Sequence, residues 1–196
     1  MTAPSYTNIQ AGAQDLVVKN ITLDQGVQVG ANDVTFENVD VTPSLFYTDG
    51  GGDWYYGFLI GDVTGVVIKD STINGVEADD ATAISDITAS AATEFTVDSV
   101  AISNVWNGIL IDSAGTQANL VDNSISNAKH GIYVTQADAT DQTITGNSIF
   151  NPQNLSDGSD GDAISVPTGT AGSVVTQLQN DNHFTGVAAG KDVFVR

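Results

Sequence analysis

Val18-Lys19-Asn20-Ile21-Thr22-Leu23 sets two apolar residues five positions apart around a polar bend, and the chain repeats this arrangement along its length. It returns as Phe36-Glu-Asn-Val-Asp-Val41, Ile68-Lys-Asp-Ser-Thr-Ile73, Val97-Asp-Ser-Val-Ala-Ile102, Leu120-Val-Asp-Asn-Ser-Ile125 and Ile144-Thr-Gly-Asn-Ser-Ile149. A degenerate copy follows around Leu178–Phe184, read as carrying one inserted residue. Between these lies a second segment, a small residue followed by alternating apolar positions. It reads Gly26-Val-Gln-Val29, Gly57-Phe-Leu-Ile60, Ala83-Ile-Ser-Asp-Ile87, Gly108-Ile-Leu-Ile111, Gly131-Ile-Tyr-Val134, Asp162-Ala-Ile-Ser-Val166 and Asp192-Val-Phe-Val195. Period-two alternation predicts strands with one buried face.

A unit holding two short strands cannot bury its apolar face alone; stacking copies in register buries it against the neighbours above and below. Strands about 4.8 Å apart in about seven coils make a rod roughly 30–35 Å long. The predicted fold is therefore all-β, a right-handed parallel β-helix of one domain over residues 1–196. A sandwich or propeller fits the repeated columns less well. Asn20, Asn38, Asn123 and Asn147 recur at the expected bends, where Asn tolerates left-handed backbone angles. No stretch has the apolar spacing of an amphipathic helix.

These paired segments resemble the parallel β-helix repeats of pectate lyases, mannuronan epimerases, tailspikes and bacterial surface proteins. Ser5-Tyr6-Thr7-Asn8-Ile9-Gln10-Ala11 looks like the opening segment of such domains. The resemblance implies the pectin-lyase-like fold. It covers enzymes and proteins without catalysis alike, so it does not fix an activity. The non-enzymatic bacterial surface branch is the expected relation, and the strand-like pattern running to Arg196 suggests a module of a longer chain.

Composition narrows the partners. Twenty-four acidic residues face five basic ones, for a formal charge of −19. A phosphate backbone would be repelled, which argues against nucleic acid. No apolar run is long enough to span a bilayer, so membrane insertion is not expected. The absence of cysteine excludes disulfides and thiolate metal sites. The acidity is read as solvation suited to high salt, as calcium-binding carboxylates, or both, and the setting as extracellular or at a cell surface.

The connections leaving the first segment vary in length, and in a stacked coil they all fall on one edge, the expected place for function. Along it lie three candidate sites. Trp54, Tyr55, Tyr56, Trp106 and Asn107 offer rings and polar groups to a carbohydrate, or else pack as a private mini-core under their own loops. Asp79, Asp80, Lys129 and His130 are the catalytic candidates if the chain is an enzyme. Asp79-Asp80 and His130-Gly131 are similar to elements of polygalacturonase-type hydrolases, whose Arg-x-Lys element has no match here. Asp157-Gly-Ser-Asp160-Gly-Asp162 alternates oxygen ligands with glycine, as a calcium loop requires.

Two functions remain open on the sequence. One is an extracellular structural or adhesive module, calcium-stabilised, associating with polysaccharide or with its own copies through the helix ends. The other is a polysaccharide lyase, epimerase or glycoside hydrolase working on the variable edge. A receptor-binding viral fibre is a third use of the same fold.

Overall fold

The structure is a computed structural model that describes residues 6–10, 12–13, 15–49, 52–75, 81–86, 93–136, 138–153 and 161–196. Eighteen strands, numbered in chain order, form one continuous sheet among them. Three columns of parallel strands run along the rod. The first stacks β1 (Tyr6–Ile9), β3 (Gly26–Val29), β6 (Gly52–Ile60), β9 (Ala81–Asp86), β11 (Ala101–Ile111), β13 (Ser124–Val134), β16 (Asp162–Val166) and β18 (Val193–Val195). The second stacks β2 (Val17–Leu23), β4 (Thr35–Val41), β7 (Val66–Lys69), β10 (Glu94–Asp98), β12 (Gln117–Val121) and β14 (Thr143–Thr145). The third joins β4, β8 (Thr72–Asn74), β11, β13, β15 (Ser148–Phe150) and β17 (His183–Thr185). This is the expected parallel β-helix.

The repeat positions stack as the periodicity requires. Phe36, Ile68, Val97, Leu120 and Ile144 form one buried column, and Val27, Phe58, Ile84, Ile109, Ile132, Ile164 and Val193 form another. The bends between columns are left-handed: φ is 57° at Asn20, 53° at Asn38, 49° at Asp70, 57° at Ser99 and 53° at Asp122. Short polar side chains tolerate that conformation and bulky ones do not. Asn123 and Asn147 do not sit at this bend. Each follows it by one residue and turns inward, where Asn123, Asn147 and Asn182 stack as a buried ladder. Asn123 Nδ2 donates to Val97 O at 2.9 Å, Asn147 Nδ2 to Leu120 O at 3.0 Å and Asn182 Nδ2 to Ile144 O at 2.9 Å. Their side-chain oxygens accept the backbone N–H of the coil before. The ladder satisfies backbone groups that the bend takes out of the sheet.

Two features depart from the sequence-based expectation. The long connection 42–56 is a hairpin: β5 (Ser44–Asp49) pairs antiparallel with the start of β6. The degenerate copy around Leu178 begins as a helix, α1 (Gly172–Asp181), which buries Leu178 against the rod. Val174, Val175 and Thr176 are weak helix formers and Ala171 supplies no side-chain cap, so local propensity hides this helix. Tertiary packing forms it.

Candidate functional site

Along the first column each coil repeats a four-residue step, with an outer residue, a small residue, an inward aliphatic or aromatic one, and a second outer residue. It reads Tyr56-Gly57-Phe58-Leu59, Thr82-Ala83-Ile84-Ser85, Asn107-Gly108-Ile109-Leu110, His130-Gly131-Ile132-Tyr133 and Asp162-Ala163-Ile164-Ser165. Lys191-Asp192-Val193-Phe194 continues it, with Asp in the small position. The small residue lets the backbone turn without a clash. A Cβ on Gly131 would stand 2.5 Å from Ala163 O, and one on Gly57 2.5 Å from Ala83 O. The two outer residues of every coil lie on one face, where Leu59, Asn107, Leu110, Tyr133, Lys191 and Phe194 are partly exposed and Tyr56, Thr82, Ser85, His130, Asp162 and Ser165 are buried.

At the C-terminal coils this face becomes charged. Asp162, nearly buried, accepts from Lys191 Nζ at 2.8 Å and from Ser165 Oγ at 3.1 Å. Arg196 Nη2 stands 3.7 Å from the same carboxylate, and His130 Nδ1 3.4 Å from it. Arg196 also brings Nη2 to 3.4 and 3.5 Å from the two ring nitrogens of His130. Burial, then the Arg196 guanidinium, lower the His130 pKa to about 4, outweighing the pull of Asp162. At neutral pH the imidazole is uncharged, so one ring nitrogen can accept from the Arg196 guanidinium.

Each cation on this face lies over a ring. Lys129 Nζ is 4.0 Å from the centroid of Trp106, Arg196 Cζ 4.0 Å from Tyr133, and Lys191 Nζ 4.1 Å from Phe194. Such placement is attractive because the ring face is electron-rich. The chain has five Lys and Arg residues in all, and three of them are here. One coil earlier, Asn107 Nδ2 donates to Thr82 Oγ1 at 3.0 Å. Asn107 Oδ1 is buried and, among the described residues, has no hydrogen-bond partner.

Residues assigned from the sequence to three different sites thus meet in one. Trp106 and Asn107 from the carbohydrate set, Lys129 and His130 from the catalytic set, and Asp162 from the metal set share this face. They sit in the long strands β11 and β13 and at the start of β16, not in projecting loops. Asp162 is engaged there by Lys191, Ser165 and Arg196. Asp79, Asp80, Asp157 and Asp160 lie outside the described residues. Trp54 and Tyr55 stand apart on the hairpin, and the buried Tyr56 joins it to the first column. Phe46 stacks on Tyr6 at 4.5 Å and meets Tyr56 edge-on, Tyr55 packs against the core, and Trp54 stacks with Tyr47 at 6.0 Å. That hairpin is in part the private cluster its composition allows.

Tyr133, Lys191 and Arg196 are absent from the sequence-based assignment. A signal for Lys191 was available, since it occupies the outer position of the four-residue step in its coil. None existed for Arg196 on Tyr133, a contact between residues 63 positions apart that only stacking creates.

The family described as periplasmic copper-binding protein (NosD) matches residues 9–176. The chain belongs to the NosD family. That places it in a family of right-handed parallel β-helices described as periplasmic, outside the cytoplasm. No curated protein matches the chain.

The copper implied by the NosD description does not fit the residues present. Copper sites draw on thiolate, thioether and imidazole ligands. The chain has no cysteine, one methionine, Met1, and two histidines. His130 is nearly buried with a guanidinium beside both ring nitrogens, a position that repels a second cation. His183 is exposed on β17, in the third column. Among the described residues no group of three or more His, Cys, Asp or Glu is placed to hold a metal ion.

Proposed function

We propose that this chain is a non-catalytic β-helix module that works outside the cytoplasm by holding a polysaccharide along its first-column face. The observation that carries the reading is the repeat of outer positions along that face. Its outer positions repeat in register from Tyr56 to Lys191 through six successive coils, spaced about 4.8 Å apart, and Leu59, Asn107, Leu110, Tyr133, Lys191 and Phe194 are the partly exposed ones. A surface with a one-dimensional repeat suits a linear polymer, whose successive units can meet equivalent positions in successive coils. A structural or adhesive role follows if the polymer belongs to a matrix or envelope. Calcium near Asp157 and Asp160, and association of copies through the coil ends, are further proposals within this reading.

Catalysis is the second reading, and one observation favours it: His130 is neutral at pH 7 and within reach of a carboxylate, as a general base must be. Its surroundings oppose the role. Arg196 raises the cost of protonating it, and a base must take up a proton during turnover.

The test is to incubate the protein with alginate, pectate and neutral polysaccharides, with and without calcium, following retention on the polymer, unsaturated products and new reducing ends. Retention without product formation supports the module. Turnover lost in His130→Ala would overturn the non-catalytic part, and no retention on any polymer would overturn the whole reading.

A further inference from the structure

Association of copies through the coil ends leaves open which end is used and in what symmetry. We infer that two copies of the chain join at their first coils, N-terminal end to N-terminal end, about a two-fold axis across the rod. This rests on the coil-end association within the proposed function and fixes its end, its partner and its symmetry.

The first observation is that the core is open at this end. Among the described residues β1 pairs only with β3 and β2 only with β4, so one edge of each strand is bare. The inward positions of this coil lack the cover that the same positions have one coil later. Ile21 is 42% exposed where its neighbour Val39 is fully buried. Ile9, Val18 and Leu23 are half-buried, while Val29, Phe36 and Val41, on which they stack, are buried. On the outer side of β2, Val17 is 53% exposed. Bare strand edges beside apolar surface are templates for pairing with another chain.

The second observation is that the opposite end is protected. The helix α1 takes the place of the next second-column strand: Gly146 N donates to Asp181 O at 2.7 Å, and Leu178 is buried beneath it. Lys191 and Arg196 flank β18, and charged side chains at an edge strand discourage pairing. A head-to-tail filament would have to stack β2 on that helix. Joining like ends avoids it and closes the assembly at two copies.

The third observation is charge. The chain carries −19, yet residues 6–23 hold one acid, Asp15, and one base, Lys19, which sum to zero. The next coil, 26–41, holds Asp33, Glu37 and Asp40 and no base. A neutral end face lets two acidic molecules meet with little local repulsion. A two-fold axis through the second column runs β2 antiparallel to its counterpart, a pairing that antiparallel ladders accommodate. Pairing about Val17 sets it against the partner's Val17, and sets Asp15 against the partner's Lys19 in both directions. The first column of each copy then meets the third column of the other, with Ile9 over the partner's Ile21 and the partner's Leu23. The two open layers close on each other.

The contact is small. A coil here repeats after 18 residues, just under the roughly 20–30 residues a side of a standard interface. The dimer is therefore reversible, with a dissociation constant in the micromolar range.

The experiment is sedimentation equilibrium of the full chain from about 1 to 100 μM. Variants are Val17→Asp and, at the opposite end, Val195→Asp, whose native side chain is 40% exposed. Melting curves verify that each is folded. Expected are a monomer–dimer equilibrium, a dissociation constant raised at least about tenfold in Val17→Asp by an unpaired charge in the contact, and no change in Val195→Asp. The chain has no cysteine, so Val17→Cys supplies one thiol per copy. Under mild oxidation it should cross-link to itself, whereas Val195→Cys should not. Cross-links between the two cysteine variants when mixed, or oligomers that grow with concentration, mean head-to-tail stacking and overturn the inference. A chain that stays monomeric overturns it too, including one whose first coil is held from hydrogen exchange by its own residues. Polymer retention is measured alongside. A monomer that is retained sinks the inference and spares the proposed function; a dimer that is not retained does the reverse.

Discussion

Asp86 is the least expected side chain in the core. It occupies an inward position between Ile60 and Ile111 and has no exposed surface. Its carboxylate accepts from Asp112 N at 2.6 Å and from the Thr116 hydroxyl. Burial raises its pKa from 3.8 to about 6, against those hydrogen bonds, which lower it. A carboxyl that holds its proton more tightly when folded contributes stability fully below pH about 4, and loses it as pH rises through about 6. At about 1.4 kcal/mol per pH unit, the loss is about 3 kcal/mol. His130 works in the opposite direction. Its pKa falls from 6.5 to about 4 on folding, so its contribution is present above pH 6.5 and is lost as pH falls through about 4, again by about 3 kcal/mol. The two slopes overlap in one window and nearly cancel, so the native protein should show a flat stability profile between pH 4 and 6.5.

Asp86→Asn should expose the hidden slope. Asn keeps a carbonyl for Asp112 N and turns its amide toward Thr116, whose hydroxyl can accept. The variant should gain stability across the window by about 3 kcal/mol, which for a chain of this size is roughly 6–12 °C in melting temperature. At pH 8 it should exceed the native protein, because the buried charge is gone. The assay is thermal unfolding by circular dichroism at half-unit pH steps from 4 to 8, for the native chain, Asp86→Asn and His130→Gln. The histidine variant should slope the other way, losing stability as pH rises. A variant profile parallel to the native one would refute the reasoning, as would a steep native profile in either direction.

Other predictions follow from the same packing. Gly131→Val places a branched side chain where Ala163 O already stands 2.5 Å from a Cβ and Ile149 Cγ2 2.9 Å, and should cost about 1–3 kcal/mol in chemical denaturation. Asn147→Ala breaks the middle of the buried ladder and strands Asn123 N and Leu120 O, at about 1–3 kcal/mol each; Asn20→Gly, at an exposed bend, should change stability by a few tenths. Titration with cupric and cuprous ions against a competing chelator should show no stoichiometric site. A tight site lost in His130→Gln would contradict the ligand inventory.

The fold was legible because its determinants are local and repeated. Val18 and Leu23, and their equivalents, mark the same inward positions in every coil, and Asn20 and Asn38 mark the bend. Asn123 and Asn147 look like bend residues in the sequence, yet they lie one step past it. A register difference of one residue decides between an exposed turn and a buried ladder, and composition does not encode it. The helix at 172–181 was illegible because packing, not propensity, makes it. The site was legible in pieces. Asn107, His130 and Asp162 each precede a small residue at the start of a second segment, so their alignment followed from the repeat. Their chemistry did not. Whether Asp162 serves calcium or an ion-pair cluster depends on Lys191 and Arg196, which reach it only once the coils are stacked.

Amide hydrogen exchange of the full chain, with and without a saturating concentration of a polysaccharide that it retains, tests the central claim most directly, since it locates the ligand as well as detecting it. The account predicts slowed exchange at 106–110, 129–134, 162–166 and 191–196, with the hairpin at 44–55 and the second column unchanged. Protection confined to that hairpin, or no protection anywhere on the first-column face, would contradict it.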